Sequence, residues 1–445
     1  MRYEELINKI LEKAKENLSE CEVYLSTNKE TSMEVFEGEL SKYNIAESGG
    51  LSLRGIYNGK MGYAYTEKLD ESSIDSLIQG VIDNAEFISG DKEIIYKGDK
   101  DYKKIDFTEN LLSYSREEKI NFIKQLEKEA LLKDERLKPM ASAYEEIEVE
   151  RYIVNSKGVN LNEKQTLAVV YLGVMVEEKD EVKTGYSFKF IRDFEKLNKE
   201  EIINEAVNDA ISSLGAKAVK SDNYPVVFKN TTFGSLLAAF SSVFVAENVQ
   251  KGLSLLKGKL KEQIANEVLT LVDDPYLKDG LGTSGFDDEG TKTSYKEVIK
   301  EGKLQTYLYN WKTAIKDDVE STGNAGRSYK GSVGTSVSNF YILEGDKSKD
   351  EILKDANEGL YLTSLQGLHS GLDPVSGDFS LSASGYKIEN GLITSPVNQI
   401  TVSGNFFDLF RNIIEIGNDL EFGTAGGGKI GSPTIYVKEL SIAGE

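Results

Sequence analysis

Apolar side chains recur at helical spacing over residues 3–18, at Tyr3, Leu6, Ile7, Ile10, Leu11, Ala14 and Leu18, which puts them on one stripe of an α-helix. Beyond that point the period drops to two. The runs CEVYLST, SMEVFEG and GLSLRGIYNGKMGYAYTE read as strands, the last with a turn at Asn58-Gly59. Helical spacing returns over 72–88. It returns again after Ser115, where Ser115 and Glu118 form a capping-box pattern ahead of Ile120, Phe122, Ile123 and Leu126. Strands are expected from about 143 to 193, then a helix over 199–214 with Ile202, Ile203, Ala206, Val207 and Ala210 on one stripe.

The texture changes near residue 220. Of 40 glycines, 27 fall after that point, as do five of the six prolines. One strongly apolar helical segment, 231–249, is followed mainly by short strands and glycine turns. That pattern predicts a β-rich, barrel-like C-terminal domain. The chain is therefore expected to be α+β, with a mixed N-terminal domain over 1–220, a β-rich domain over 221–445 and a boundary within 216–225.

Composition narrows the function classes. Hydrophobic residues make up 39% of the 445 positions, enough for real cores. A formal net charge of −21 repels a phosphate backbone, so direct nucleic-acid binding is not expected. One cysteine, Cys21, excludes an internal disulfide and fits a reducing compartment. The N-terminus lacks a signal-peptide pattern, and the apolar run 167–176 is too short to span a bilayer as a helix. The expectation is a soluble, cytoplasmic protein without membrane contact.

A single histidine, His369, rules out two-His zinc motifs within this chain. The stretch 423–432, GTAGGGKIGS, imitates a phosphate-binding loop, but Ile430 stands where Ser or Thr must follow the lysine. Gly431, Ser432 and Pro433 read as a turn into a last strand, where a P-loop needs a helix. The acidic chemistry lies at Asp273 and Asp274, at Asp287, Asp288 and Glu289, and at Asp373 and Asp378. Such groups suit a Ca²⁺ or Mg²⁺ site, and Asp-Gly neighbours are equally the grammar of turns.

Taken in order, the blocks GFDDEGTKTSYKEVIKEGKLQTYLYNWKTA, STGNAGR, GLYLTSLQG, DPVSGDFSLSASGYKIENG, PVNQITVSGNFFDLFRNIIEIGNDL and GSPTIYVKELSIAG resemble the TldD/PmbA proteins over about 225–445. The resemblance implies a metallopeptidase family whose TldD-type chains carry H-E-x-x-x-H on a helix and a cysteine near the C-terminus as zinc ligands. It also implies pairing with a PmbA-type (TldE) chain to cleave unfolded peptides, and an older name, modulator of DNA gyrase. Here the helix register falls on 238–243, whose side chains are apolar or hydroxyl, and Gly427 stands in the place of the cysteine. The chain therefore resembles the PmbA/TldE branch. It is expected to hold no metal itself and to join either a zinc-bearing TldD-like partner or a second copy of itself.

The peptide-contact candidates are Asp288, Glu289 and Gly290, Asn324 and Gly326, and Gly377, Asp378 and Phe379, in turns whose glycines let another backbone approach. No catalytic residue is assigned to this chain. Two other readings stay open: an autonomous hydrolase with a carboxylate-bound metal, and a non-enzymatic homodimeric binding or maturation factor.

Overall fold

The computed structural model describes residues 3–87, 92–107 and 109–445. Its first half is one antiparallel sheet of β1 (Glu20–Phe36), β2 (Glu39–Tyr57), β3 (Lys60–Thr66), β4 (Leu137–Asn155), β5 (Asn160–Glu178) and β6 (Glu181–Ile191), in the order β3-β2-β1-β4-β5-β6. The runs CEVYLST and SMEVFEG form one strand, because the intervening Asn28–Thr31 keeps its register with both neighbours. The turn at Asn58 and Gly59 has both residues at positive φ, as a two-residue hairpin requires.

Four helices lie over one face of this sheet: α1 (Glu4–Ala14), α2 (Ile74–Phe87), α3 (Arg116–Leu131) and α4 (Lys199–Ser212). Helix α2 follows a short 3-10 turn, Glu71–Ser73, and position 88 lies outside the described residues. The capping box at α3 is present: the Ser115 hydroxyl accepts from the Glu118 amide, and the Glu118 carboxylate accepts from the Ser115 amide at 2.7 Å. Strand periodicity explains the layering. Odd-numbered β1 residues face the helices, with Cys21, Val23 and Leu25 in the core of α1 and α2, and Met33 and Val35 in that of α3 and α4. Glu22 and Tyr24 point to the other side.

The second half contains β7 (Asp222–Phe228), β8 (Leu271–Asp273), β9 (Lys296–Lys300), β10 (Lys303–Leu304), β11 (Ala325–Gly326), β12 (Gly334–Thr335), β13 (Phe340–Ile342), β14 (Gly359–Gln366), β15 (Asp378–Glu389), β16 (Leu392–Asn405), β17 (Ile413–Ile416), β18 (Glu421–Phe422), β19 (Ile430–Ser432) and β20 (Ile435–Ala443). Five of them close a barrel in the order β16-β15-β14-β7-β20, sealed by pairing of Thr401–Ser403 with Ser441–Ala443. Only the β7–β14 contact in this ring is parallel. A second sheet runs β10-β9-β8-β13-β19-β18.

Helix α5 (Asn230–Phe240) sits in the shared core. Its Phe233, Leu236, Leu237 and Phe240 are buried there, and its other side, with Thr231, Ser235 and Ala238, is only partly covered. Phe240 stacks on Phe406 at 4.4 Å and meets Phe379 edge-on, while Phe406 also packs against Phe410 at 4.3 Å. The expected single helix over 231–249 is interrupted. After Phe240 the chain tightens into a 3-10 turn at Ser241–Phe244, extends at Val245 and restarts as α6 (Ala246–Gln250). The expected turn at Gly431-Ser432-Pro433 is also corrected. Ile430–Ser432 is strand β19, parallel to β13, and the turn lies earlier, where Gly426, Gly427 and Gly428 all have positive φ. Three further helices follow among the described residues: α7 (Trp311–Asp317), α8 (Lys349–Ala356) and α9 (Phe406–Arg411). No helix among the described residues is long and apolar enough to cross a membrane.

The stacked aromatic centre makes Phe240 a strong structural test. Phe240→Ala is expected to destabilise the protein by about 3–5 kcal/mol, read as a lowered urea midpoint; a change under about 1 kcal/mol would place the core elsewhere.

Candidate functional site

The face of the N-terminal sheet opposite its helices is covered at one end by loops of the second half. Glu22 on β1 is fully buried there. Its Oε1 accepts from Arg54 Nε of β2 at 2.8 Å and from Arg327, which follows β11, at 2.7 Å. Its Oε2 accepts from the Asn155 amide at 3.3 Å. Burial alone would push the Glu22 carboxyl up, but Arg54 and Arg327 together hold it below the ordinary glutamate value of 4.5.

The acidic loop that follows Phe286 completes the joint. Glu289 accepts from Arg54 at 3.3 Å and from the Trp311 amide, at the start of α7, at 2.8 Å. Asp288 accepts from Arg151 of β4 at 2.6 Å and from the Arg327 amide at 2.9 Å. Asp287 accepts from the amides of Glu289, Thr291 and Ala325, all at 2.9 Å. Burial, reinforced by the neighbouring Glu289 carboxylate, pushes the Asp287 carboxyl up. Gly290 has φ +73, and its carbonyl accepts from the Tyr102 hydroxyl at 2.6 Å.

Asp288, Asn324 and Gly326 line a single cavity of about 350 Å³, together with Arg151, Ser284, Ser338 and Lys429. Asn324 is buried. Its amide nitrogen donates to Asp273 at 2.8 Å and to the Ser336 carbonyl at 3.0 Å. A Cβ on Gly326 would stand 2.6 Å from that of Ser336, so the approach of β11 to the segment after β12 requires glycine. Glu289 and Gly290 stand behind this wall. Gly377, Asp378 and Phe379 are not part of it; they open β15 at the rim of the barrel. Gly377 has φ +85 with the Phe407 ring against it, Asp378 is exposed and accepts from Asn405 at 2.9 Å, and Phe379 is buried in the core.

Burial of Lys429, with Arg151 nearby, pushes its ammonium below the usual lysine value. Sequence reasoning did not single out Glu22, Arg54, Arg151, Arg327 or Lys429 as site residues. Glu22 sits in a plain alternating strand pattern, and its partner Arg327 is 305 residues away, so no local signal marks it as buried. Lys429 was visible within the P-loop lookalike, but only the fold turns it inward.

The stretch 238–243 lies at the end of α5 and in the turn after it, and Gly427 lies in the glycine turn before β19. Helix α5 runs beside the segment 423–432: a Cβ on Gly423 would touch Thr231, and one on Gly234 would lie 3.7 Å from the Ile430 carbonyl. At 238–243 the Ser241 hydroxyl donates to the Ala238 carbonyl at 2.8 Å, and Phe240 and Val243 are buried in the core. His369 is exposed in the turn after β14, and Cys21 is buried under α1. Among the described residues no group of three or more His, Cys, Asp or Glu is placed to hold a metal ion.

A helix-backed sheet joined through buried charges to a barrel with a helix packed in its core corresponds to a recognised protein class. Residues 21–85, 109–214 and 221–444 match domain 1, the central domain and the C-terminal domain of PmbA/TldA metallopeptidases. The chain belongs to the PmbA/TldA metallopeptidase family. It is similar to Metalloprotease PmbA of Escherichia coli O157:H7, at 27% identity over 99% of this chain and 96% of that protein. It is also similar to a solved protein of Thermotoga maritima MSB8 named for modulation of a DNA gyrase, at 32% identity and TM-score 0.91, covering 99% of this chain and 100% of the other. TldE from Thermococcus kodakarensis, at 22% identity and TM-score 0.90 over 98% and 99% of the two chains, shares the fold.

The Glu22 joint generates a pH prediction. The folded carboxyl titrates below the unfolded one, so its stabilising contribution is present above pH 4.5 and lost as pH falls through the folded value. Glu22→Gln is expected to cost about 3–5 kcal/mol at pH 7, because Arg54 and Arg327 lose a buried counter-charge. The variant should also lose less further stability on acidification below pH 4.5. Urea unfolding at several pH values measures both; parallel wild-type and variant acid profiles would contradict the assignment.

Proposed function

We propose that this chain is a PmbA/TldE-type subunit that holds no zinc of its own and forms, with a zinc-bearing TldD-type chain, a peptidase for unfolded or flexible peptides. The observation that carries this reading is the donor chemistry where α5 meets the glycine turn. Ala238 and Gly427 have no side-chain lone pair, the Ser241 hydroxyl is bonded back to the last turn of α5, and the chain's one histidine and one cysteine lie in other elements. These residues do not fit a zinc site, which needs thiolate, imidazole or carboxylate ligands. Zinc on the partner would supply an activated water and a polarised carbonyl; this chain would supply walls and support.

In this reading Asp288, Asn324 and Gly326 shape a peptide-facing cavity, Glu289 and Gly290 brace it from behind, and Gly377, Asp378 and Phe379 shape a second turn at the barrel rim. The proposed units are 1–220, which provides the bracing sheet, and 221–445, which provides the cavity wall. A carboxylate-held metal in this chain gains little support from the geometry, because Asp273, Asp287 and Asp288 already accept from arginine, lysine, asparagine or backbone donors.

The test is reconstitution. Mixing this chain with a TldD-type chain carrying H-E-x-x-x-H is expected to give zinc-dependent cleavage of an unfolded peptide that this chain alone does not cleave. Elemental analysis should find zinc on the pair and none above background on this chain. Zinc at full occupancy on the isolated chain, together with peptide cleavage by it, would overturn the proposal.

A further inference from the structure

The cavity between the acidic loop and the β19 turn has an unusual balance of used and unused hydrogen-bonding groups. Its acceptors are engaged. Asp287 and Asp288 each accept on both oxygens, and the Asn324 side-chain oxygen accepts from Thr322 at 2.8 Å. The terminal nitrogens of Arg151 are spent on Asp288, Glu163, Ser284 and the Phe286 carbonyl, while its buried Nε, like that of Arg327, has no partner among the described residues. Two further donors remain. Among the described residues the Lys429 ammonium has no hydrogen-bond or ion-pair partner, and the Ser338 hydroxyl, on a residue only 8% exposed, has none either. Both line the cavity.

A partly buried ammonium that feels the Asp288, Asp273 and Glu163 carboxylates but bonds to none of them is incompletely compensated. A group that would satisfy it must accept hydrogen bonds and carry negative charge. We infer that this cavity is a carboxylate-binding pocket in which Lys429 is the counter-ion for a carboxylate-bearing ligand. The acidic wall selects a monoanion: one unspent ammonium matches one negative charge, whereas a phosphate dianion would add a second charge facing Asp287 and Asp288. The cavity volume of about 350 Å³ lies at the small end of ligand pockets, suited to a terminal residue or one acidic side chain. The inference concerns binding by this chain alone and is independent of the zinc reading.

Isothermal titration calorimetry of the full chain separates the possible sources of the carboxylate. The probes are acetyl-Gly-Ala-Ser-Ala as the free acid, the same peptide as its C-terminal amide, an amide peptide with glutamate in place of serine, and inorganic phosphate. The free acid or the glutamate peptide is expected to bind at least tenfold more tightly than the uncharged amide, and whichever wins names the source. Lys429→Gln is expected to abolish that preference, and Lys429→Arg to retain part of it. Equal binding of the uncharged amide and both carboxylate peptides, no binding of any probe, or tighter binding of phosphate than of both carboxylates would overturn the inference. The comparison of both carboxylate peptides with the uncharged amide uses the native chain, so it stands even if a Lys429 variant fails to fold.

Discussion

The structure depends on a charge that cannot stay buried without help from the other half of the chain. Glu22 has no exposed surface, and two guanidiniums reach it, one from the neighbouring strand and one from beyond β11. Desolvating such a set offsets much of its Coulombic gain, so its value lies in position more than in net stability. Apolar contact is tolerant of sliding; a carboxylate held between Arg54 and Arg327 is not. Arg54 carries the constraint onward to Glu289, and Arg151 does the same for Asp288. The sheet thereby fixes the loops that wall the polar cavity, although none of its own secondary structure belongs to the barrel.

The barrel and α5 act on the same cavity from the far side. The helix is held by rings on several sides, and β19 runs beside it, so Lys429 is carried inward by the backbone that leads from the glycine turn into a strand. This scaffold presents hydrophobic packing on the helix and an ammonium at the end of the turn.

Much of the fold was legible because it follows from local periodicity. The Ser115 capping box, the Asn58-Gly59 hairpin and the stripe of Ile202, Ala206 and Ala210 are written within a few residues of one another, and each appears as read. Legibility failed where tertiary context decides. Gly431 and Ser432 look like turn residues, yet β13 and β18 recruit them into a sheet. The apolar run 231–249 has no visible breaker, yet its helix stops where Ser241 bonds back to Ala238 and Val245 turns extended. At the site, the acidic loop was found by composition, but its cations were not. Arg54 and Arg151 lie in strands whose buried polar face gives the same alternating pattern as a solvated one, and only long-range pairing distinguishes the two.

Closure of the barrel by β20 has a consequence for biogenesis. The strand 435–443 lies between β7, which begins at residue 222, and β16. During translation β7 therefore emerges more than two hundred residues before the neighbour that completes its hydrogen-bond ladder, so the C-terminal half waits with an open seam until its last strand leaves the ribosome. Non-local closure of this kind is slow and leaves sheet edges exposed to wrong partners. The N-terminal sheet, complete by Ile191, can already be in place as a template against which the late seam aligns.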